Sequence, residues 1–393
     1  MRSRSPIPRT VWVLGFVSLF MDISSEIIHA LLPLFLTVTL GASVALVGLI
    51  DGVAEATASI AKVFSGYVSD RLGRRKPLIL AGYGLGALSK PLFALAGSPA
   101  VVFGARFIDR AAKGLRGAPR DALVADVTPL AIRGRAYGLR QALDTVGAFL
   151  GPLAAIALMA LLANDMRTIF WIATIPAVIS VLFVLFGVGD GPTVPAERDV
   201  RPPLRLADLR RLDASFCKVV AIGVVFTMAR FSEAFLILKA HAEGLPLALA
   251  PLVLVVMNIV YSLGAYPAGV LADKRDARVP LLGGLACLIA ADLALALGPG
   301  LLGAFTGIAL WGVQMALTQG LMAKLVAERS PDELRGSAFG VFNLATGVTL
   351  LLASLTAGLL WETLGPAAAF LAGAGFAGVA AISVLFLHRG GDR

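Results

Sequence analysis

The chain of 393 residues is 58% hydrophobic and only 15% charged, and its mean hydropathy is +0.85. Soluble domains average about 45–50% apolar and about 25% charged residues, so this composition excludes a water-soluble globular protein. One membrane-spanning helix needs about 20 apolar residues, so the length allows about a dozen spans and no separate soluble catalytic domain. The sequence therefore predicts an all-α protein embedded in the lipid bilayer.

Lysine and arginine produce the formal net charge of +9, and they concentrate in alternate loops between the predicted spans. This asymmetry follows the positive-inside rule and does not form the basic patch that would bind nucleic acid. We therefore expect a multi-pass protein of the plasma membrane, the inner membrane in a bacterium, with both termini in the cytoplasm. The first apolar segment reaches about Leu40, too long for a signal-peptide core, and is predicted to be an uncleaved span.

Apolar segments separated by glycine and proline predict twelve spans. A polar stretch with four prolines divides them six and six. We therefore predict an N-terminal six-helix bundle at 1–188, a cytoplasmic linker at 189–213 and a C-terminal six-helix bundle at 214–393. The spans are predicted at 11–40, 44–68, 78–97, 100–127, 135–162, 168–188, 214–240, 247–272, 279–298, 300–327, 336–361 and 366–388.

The two halves of the chain repeat each other. The sequence GYVSDR at 66–71 recurs as GVLADK at 269–274, and TPLAIRGRAYG at 128–138 recurs as SPDELRGSAFG at 330–340. The displacements are 203 and 202 residues. Two matches at nearly the same displacement predict a parallel repeat, the arrangement in which two bundles move about a central binding site.

Residues 66–76 read GYVSDRLGRRK and resemble the loop 2–3 signature of the major facilitator superfamily. A degenerate copy lies between predicted spans 8 and 9. The resemblance implies the major facilitator fold, transport of a small molecule by alternating access, and a gate on the cytoplasmic side. The alternative role for the basic run is that of a topology anchor alone. The predicted gate residues are Gly66, Asp70, Arg71, Gly73, Arg74 and Asp273.

Ionisable side chains inside a membrane are costly and are functional candidates. At about 100° per residue, most charged residues of span 4 share one side of the helix, and Asp22, Glu26 and His29 share one side of span 1. We predict three proton-coupling carboxylates: Asp22, Glu26 and Asp109. The predicted substrate cavity comprises Arg106, Arg110, Lys113, Glu55, Arg140, Asp144, Arg230, Glu233, Gln314 and Asn343.

Two roles remain open for these charges. They either pair with one another to satisfy their burial, or they bind protons and an anionic substrate group. In span 5, the sequence Gly147-x-x-x-Gly151-Pro152 resembles a signature of proton-driven exporters in the same superfamily. Small residues at this spacing also serve plain helix packing.

The sequence therefore predicts a proton-coupled secondary transporter that exports small amphipathic or anionic compounds and functions as a monomer. Its expected partners are the substrate, protons and the bilayer, with no cofactor. An alternative with the same fold carries a divalent metal ion or metal chelate on Asp22, Glu26 and His29. A membrane receptor without transport is disfavoured by the charges at mid-depth. An enzyme is disfavoured because H-E-x-x-H and G-x-S-x-G are absent from the sequence.

Overall fold

A computed structural model of the chain describes residues 6–189, 213–330 and 334–386. Within these ranges the chain forms α-helices joined by short turns and contains no β-strand. The helices are α1 (Arg9–Leu34), α2 (Val44–Leu72), α3 (Lys76–Leu95), α4 (Pro99–Asp126), α5 (Arg133–Leu161), α6 (Met166–Gly187), α7 (Ala214–Met228), α8 (Ala234–Ala242), α9 (Leu252–Lys274), α10 (Arg278–Leu297), α11 (Gly300–Glu328), α12 (Arg335–Leu364) and α13 (Pro366–Phe386).

The predicted all-helical membrane fold is confirmed. Ten helical segments of the described residues are long and apolar enough to cross a membrane. The two remaining predicted spans depart from this pattern for different reasons. Helix α4 has 28 residues but carries too many charges, and predicted span 7 is divided into α7 and α8 by a break at 229–233.

Local sequence sets where several helices begin and end. Helix α2 is followed by Gly73, whose φ of +63° lies in the left-handed region that glycine adopts without strain. Helix α4 begins with Pro99, whose missing N–H costs nothing in the first turn. Helix α6 is preceded by Asp165, whose carboxylate accepts hydrogen bonds from the backbone N–H groups of Arg167 and Thr168.

The helix positions and contacts reproduce the predicted repeat. Helices α3 and α10 begin at Lys76 and Arg278, 202 positions apart. In the first half α3 packs against α4 and α6, and in the second half α10 packs against α11 and α13. Equivalent helices therefore have equivalent neighbours.

The helices form two compact units. The first unit contains the described residues of Met1–Leu32 and Thr57–Pro202, and the second contains those of Pro33–Ala56 and Pro203–Arg393. The end of α1 and the first part of α2 thus belong with the second half of the chain. The bundle boundaries at 188 and 214 stay a prediction, because nearly all of the linker 189–213 lies outside the described residues.

Each unit has its own apolar core. In the first unit Leu14 and Met21 of α1 pack with Ile79 and Tyr83 of α3. In the second, the buried Phe216 of α7 packs with residues of α11 and α12. Large apolar side chains also cover the outside of the helices, as expected of a protein whose surroundings are lipid rather than water.

Candidate functional site

Helix α4 buries four of its eight charged side chains. Arg106 is 1% exposed, Asp109 and Arg110 are each 3% exposed, and Arg116 is 5% exposed. Phe107, on the opposite side of the helix, is 44% exposed. The charged side of α4 therefore faces the interior of the first unit, as its periodicity predicts.

Asp109 is held in a buried ion pair with the third helix. Its Oδ1 lies 2.7 Å from the Nζ atom of Lys90, and its Oδ2 lies 3.8 Å from the Nε atom of Arg110. The Lys90 ammonium also donates a hydrogen bond to Ser25 Oγ on α1, at 3.0 Å. These contacts join α1, α3 and α4 through one carboxylate and make an ionised Asp109 the form that fits this conformation.

A second charged network joins α4 to α5. Arg140 donates a 2.6 Å hydrogen bond from Nη1 to Asp144 Oδ2, and its Nε lies 3.7 Å from Asp121 Oδ1. Arg120 Nη1 lies 3.9 Å from Asp144 Oδ1 and donates to Ser18 Oγ at 2.8 Å. The predicted cavity residues Arg140 and Asp144 thus contact each other.

The two carboxylates of α1 lie where α5 approaches most closely. A methyl group on Gly151 would stand 2.5 Å from Glu26 Cβ, and one on Gly147 would stand 3.0 Å from Asp22 Cβ and 2.7 Å from the Leu19 carbonyl oxygen. Each distance is far inside van der Waals contact. The two glycines therefore allow α5 to pack directly on the face of α1 that carries Asp22 and Glu26.

Charges from α4 and α5 surround these carboxylates. Asp22 lies within electrostatic reach of Asp144 and of Lys113, and Glu26 lies within reach of Lys113 and His29. The Lys113 side chain is exposed, unlike the other basic residues at this depth of α4. Lys113 is thus the cation of this group that is open to a ligand.

His29 and Glu26 contact each other, with Nδ1 and Oε2 3.3 Å apart. Asp22 does not complete a metal site with them, since the described residues contain no cluster of three or more His, Cys, Asp or Glu side chains arranged to bind a metal ion. For the metal-carrier alternative, the described residues therefore supply only two neighbouring metal-binding groups, the His29 imidazole and the Glu26 carboxylate.

The loop after α2 is closed by ion pairs. Asp70, in the last turn of α2, pairs with Arg75 in the loop, and Arg75 Nε lies 3.3 Å from Asp126 Oδ2 at the end of α4. Burial acts to lower the pKa of the Arg75 guanidinium, but its hydrogen bonds and attraction to Asp70 and Asp126 outweigh burial and raise that pKa.

The remaining predicted gate residues surround this loop. Gly66 faces α4, where a methyl group would lie 3.4 Å from Ala118 Cβ. Arg71 donates to Tyr67 Oη at 3.5 Å, and Arg74 lies in the turn that follows Gly73. The side chain of Asp273, the repeat partner of Asp70, lies outside the described residues.

The second unit contains the other predicted cavity residues but brings few of them together. Arg230 and Glu233 lie in the break between α7 and α8, within electrostatic reach of each other. Gln314 is fully buried and donates to Thr318 Oγ1 within α11, at 2.8 Å. Glu55 and Asn343 are partly exposed, on α2 and α12.

Several residues of the site are not among those predicted from the sequence. Lys90 is the partner of Asp109. Arg120 donates hydrogen bonds to oxygens of Ser18, Tyr83 and Asp121 and lies 3.9 Å from Asp144. Both are ionisable residues inside predicted spans, so the sequence alone draws attention to them. Tyr83 has no such signal. Its ring lies under the Arg116 guanidinium, 4.7 Å from ring centroid to Cζ, and it becomes apparent only in the packed structure.

The arrangement of two repeated helical units, with buried charges concentrated in one of them, is that of a polytopic membrane transporter. The sequence profile of the Major Facilitator Superfamily matches residues 14–354 and again residues 222–392. The chain is 30% identical over 389 residues to the uncharacterized MFS-type transporter MJ1317 of Methanocaldococcus jannaschii, a match that covers 97% of this chain and 95% of that protein. The chain belongs to the major facilitator superfamily.

Two further kinds of similarity are informative. The multidrug resistance protein MdtH of Edwardsiella ictaluri is 30% identical over 200 residues, which cover 50% of this chain and 45% of MdtH. The structure of the nucleoside transporter NupG is similar to this one, with a TM-score of 0.77 and 16% sequence identity, and the match covers 96% of this chain and 98% of the NupG chain. The human organic anion transporter MFSD10 has a TM-score of 0.67 at 18% identity, over 97% of this chain and all of its own. At such identities the structures establish the shared fold.

Proposed function

We propose that this transporter is a proton-coupled exporter of small amphipathic compounds, with a preference for anions. The observation that carries the proposal is the buried charge of the first unit. Among the buried side chains described in that unit, the basic ones outnumber the acidic ones. The buried basic residues are Lys90, Arg106, Arg110, Arg116 and Arg140, and the buried acidic residue is Asp109.

The surplus of positive charge favours an anionic ligand group. Buried like charges repel one another strongly in a medium of low dielectric, and an anion bound among them lowers that energy. Lys113 supports this role because it is exposed. Arg106 and Arg110 stand one turn apart on the same side of α4, and a guanidinium binds carboxylate, sulfonate or phosphate oxygens through two parallel hydrogen bonds.

Asp22 and Glu26 are the proposed proton carriers. Both lie on α1 beside the α5 glycines and near Lys113, so a proton on either carboxylate changes the attraction for a bound anion. Asp109 has its ammonium partner at 2.7 Å, and we assign it the role of holding α1, α3 and α4 together. This division separates the carboxylates that exchange protons from the one that supports the site.

Export is favoured by two features. The MdtH similarity extends over half of the chain, and the name of that protein is multidrug resistance protein. The α5 sequence Gly147-x-x-x-Gly151-Pro152 lies against the proposed proton carriers, so helix packing and proton coupling share the same residues. We place the loop of Asp70 and Arg75 on the cytoplasmic side as a gate, with both termini on that side and the monomer as the working unit.

The proposal is tested with the purified protein in liposomes whose interior is acidic. Outward proton movement should drive inward accumulation of sulforhodamine B, a sulfonated dye whose charge does not change near neutral pH. Collapse of the pH gradient with an ionophore should abolish the accumulation. Dye accumulation that persists without the gradient would contradict proton coupling.

Two other probes distinguish the substrate classes. Ethidium, an amphipathic cation, should accumulate less than the sulfonated dye, and the reverse order would contradict the preference for anions. Manganese ions should not be transported; gradient-driven manganese uptake that is lost in His29→Ala would support the metal carrier instead.

A further inference from the structure

One carboxylate of the second unit, that of Asp292, has no charged partner among the described residues. Asp292 lies on α10 and is fully buried, with a relative exposure of 0%. Neither of its carboxylate oxygens has a hydrogen-bond partner among the described residues. Buried polar side chains are nearly always hydrogen-bonded, so an exception of this kind calls for a physical reason.

The helices that pack on α10 offer no charge at the level of Asp292. Helix α13 contains no ionisable residue. In α11 the ionisable residues are Lys324 and Glu328; the residue level with Asp292 is Gly307, where a methyl group would lie 2.9 Å from the Ala291 carbonyl oxygen. At 1.5 Å per residue, Lys324 is about 25 Å away along the helix. The remaining described ionisable side chains on nearby elements are Arg278 and Cys287 of α10, Tyr261, Tyr266 and Lys274 of α9, and Arg230 and Glu233 of the break.

An ionised carboxylate in such a place is expensive. Moving a charge out of water without a partner costs several kcal/mol even after relaxation, about as much as a whole domain's margin of stability. The neutral carboxylic acid avoids most of this cost. The conformation described here therefore accommodates Asp292 with a proton bound.

The surroundings leave room for a proton and for little else. A methyl group on Gly373 of α13 would lie 2.7 Å from Asp292 Oδ2 and 3.1 Å from Phe231 Cε1, so the absence of a side chain at Gly373 makes space for the carboxylate. The adjoining cavity, which Phe231 and Gly373 line, has a volume of about 10 Å³. That is the lower limit for one water molecule, and it excludes an organic substrate.

Phe231 covers this carboxylate from a part of the chain that is not helical. It lies in the break at 229–233, and its ring packs against Phe235, Trp311 and Phe370 at centroid distances of 5.3 to 5.7 Å. Movement of the break therefore moves a ring that packs beside the Asp292 carboxylate.

The break is held by polar side chains of two other helices of the second unit. The backbone N–H of Ser232 donates to Ser354 Oγ on α12 at 3.2 Å. Ser232 Oγ donates to Asp51 Oδ2 on α2 at 2.8 Å. These bonds take the place of helix hydrogen bonds that the break cannot form, and they fix the position of Phe231 relative to α2 and α12.

We propose that Asp292 is a proton-binding site of the second unit, and that the break between α7 and α8 controls its exchange with water. When the break moves, the carboxylic O–H bond gives its proton to a water molecule, which leaves a carboxylate and a hydronium ion. The break can return to the conformation described here only after a proton has bound to the Asp292 carboxylate again. This inference rests on the proton-coupled transport proposed above and adds a carrier in the other half of the chain.

The proton itself is detected by infrared spectroscopy of the purified protein at neutral pH. A protonated carboxylic acid has a carbonyl stretching band that ionised carboxylates lack. Asp292→Asn should remove one such band completely, and Asp292→Glu should retain it at a shifted position. Asp165→Asn, which changes an exposed helix-capping carboxylate, should leave the spectrum unchanged in this region. A spectrum of Asp292→Asn identical to that of the unaltered protein would overturn the proposal.

The rate at which water reaches Asp292 is measured by transferring the protein into heavy water. The carbonyl band of the protonated Asp292 shifts as its proton is replaced by deuterium. Ser232→Ala removes a hydrogen bond to a charged acceptor and should accelerate the shift about tenfold or more. Ser383→Ala removes a serine hydroxyl from α13, where it bonds only its own helix, and should not accelerate the shift. Equal rates in Ser232→Ala and the unaltered protein would contradict the role of the break.

Liposome transport separates this inference from the proposed function. If gradient-driven dye accumulation occurs and Asp292→Asn reduces it while Asp165→Asn does not, both stand. If accumulation occurs and Asp292→Asn leaves it unchanged, the proton-coupled function stands and the carrier role of Asp292 is wrong. If no gradient dependence occurs although the acid band is present, the proposed function fails, and Asp292 binds a proton without coupling it to transport.

Discussion

Replacement of Lys90 by alanine is expected to destabilise the first unit by about 3–5 kcal/mol, because it leaves the buried Asp109 carboxylate without its ammonium partner. Lys90 is 1% exposed and Asp109 is 3% exposed, so water cannot replace the lost contact. The loss should appear as a large decrease in melting temperature in detergent. The double variant Lys90→Met with Asp109→Leu should recover part of it, since the carboxylate no longer lacks its ammonium partner, although Arg110 loses the Asp109 oxygen that lies 3.8 Å from its Nε.

The matched control is a pair of the same kind at the surface. Arg278 and Asp276 approach to 3.6 Å, with side chains that are 39% and 61% exposed. Exposed pairs contribute about 1 kcal/mol or less, so Arg278→Ala should have little effect. Similar melting temperatures for Lys90→Ala and Arg278→Ala would show that the buried pair does not hold the helices together.

Gly151→Val is expected to displace α5 from α1 and to abolish transport. The Cβ position at residue 151 is 2.5 Å from Glu26 Cβ and 3.1 Å from the Ile23 carbonyl oxygen; the second of these is backbone and cannot rotate away. Overpacking of this kind costs about 1–3 kcal/mol where the structure can adjust. The protein should therefore melt at a lower temperature and lose gradient-driven accumulation altogether.

Gly138→Ala is the control in the same helix, because nothing lies within 4 Å of a methyl group at that position. Alanine there removes the flexibility of a glycine in a helix and should stabilise the protein by about 0.5–1 kcal/mol. Native transport by Gly151→Val would mean that the close contact of α5 with the α1 carboxylates is not needed for coupling.

Much of the fold follows from composition and periodicity. The apolar runs predict the membrane helices, because in lipid the backbone N–H and C=O groups of a single span can form their hydrogen bonds only within a helix. The paired sequences at 66–71 and 269–274 predict the repeat. The buried side of α4 was also predictable, since charges at helical spacing cannot face lipid.

The contacts between helices were not predictable in the same way. Nothing in the sequence of α3 shows that Lys90 lies opposite Asp109 rather than Asp22, because the choice depends on how α3 packs against α4. The break before α8 contains no proline or glycine that would predict it from the sequence. It is stabilised by hydrogen bonds of Ser232 to Asp51 and Ser354, which are far away in the chain. The pairing of Asp70 with Arg75 likewise depends on the turn at Gly73, which brings Arg75 back to the end of α2.

The central claim is that carboxylates on α1 couple proton movement to transport, and the most direct measurement compares net accumulation with exchange. In liposomes, Asp22→Asn and Glu26→Gln should lose dye accumulation driven by a pH gradient. Both variants should still exchange internal for external dye when no gradient is present, because exchange needs the binding site but no proton release. Accumulation at the level of the unaltered protein in both variants would contradict the claim.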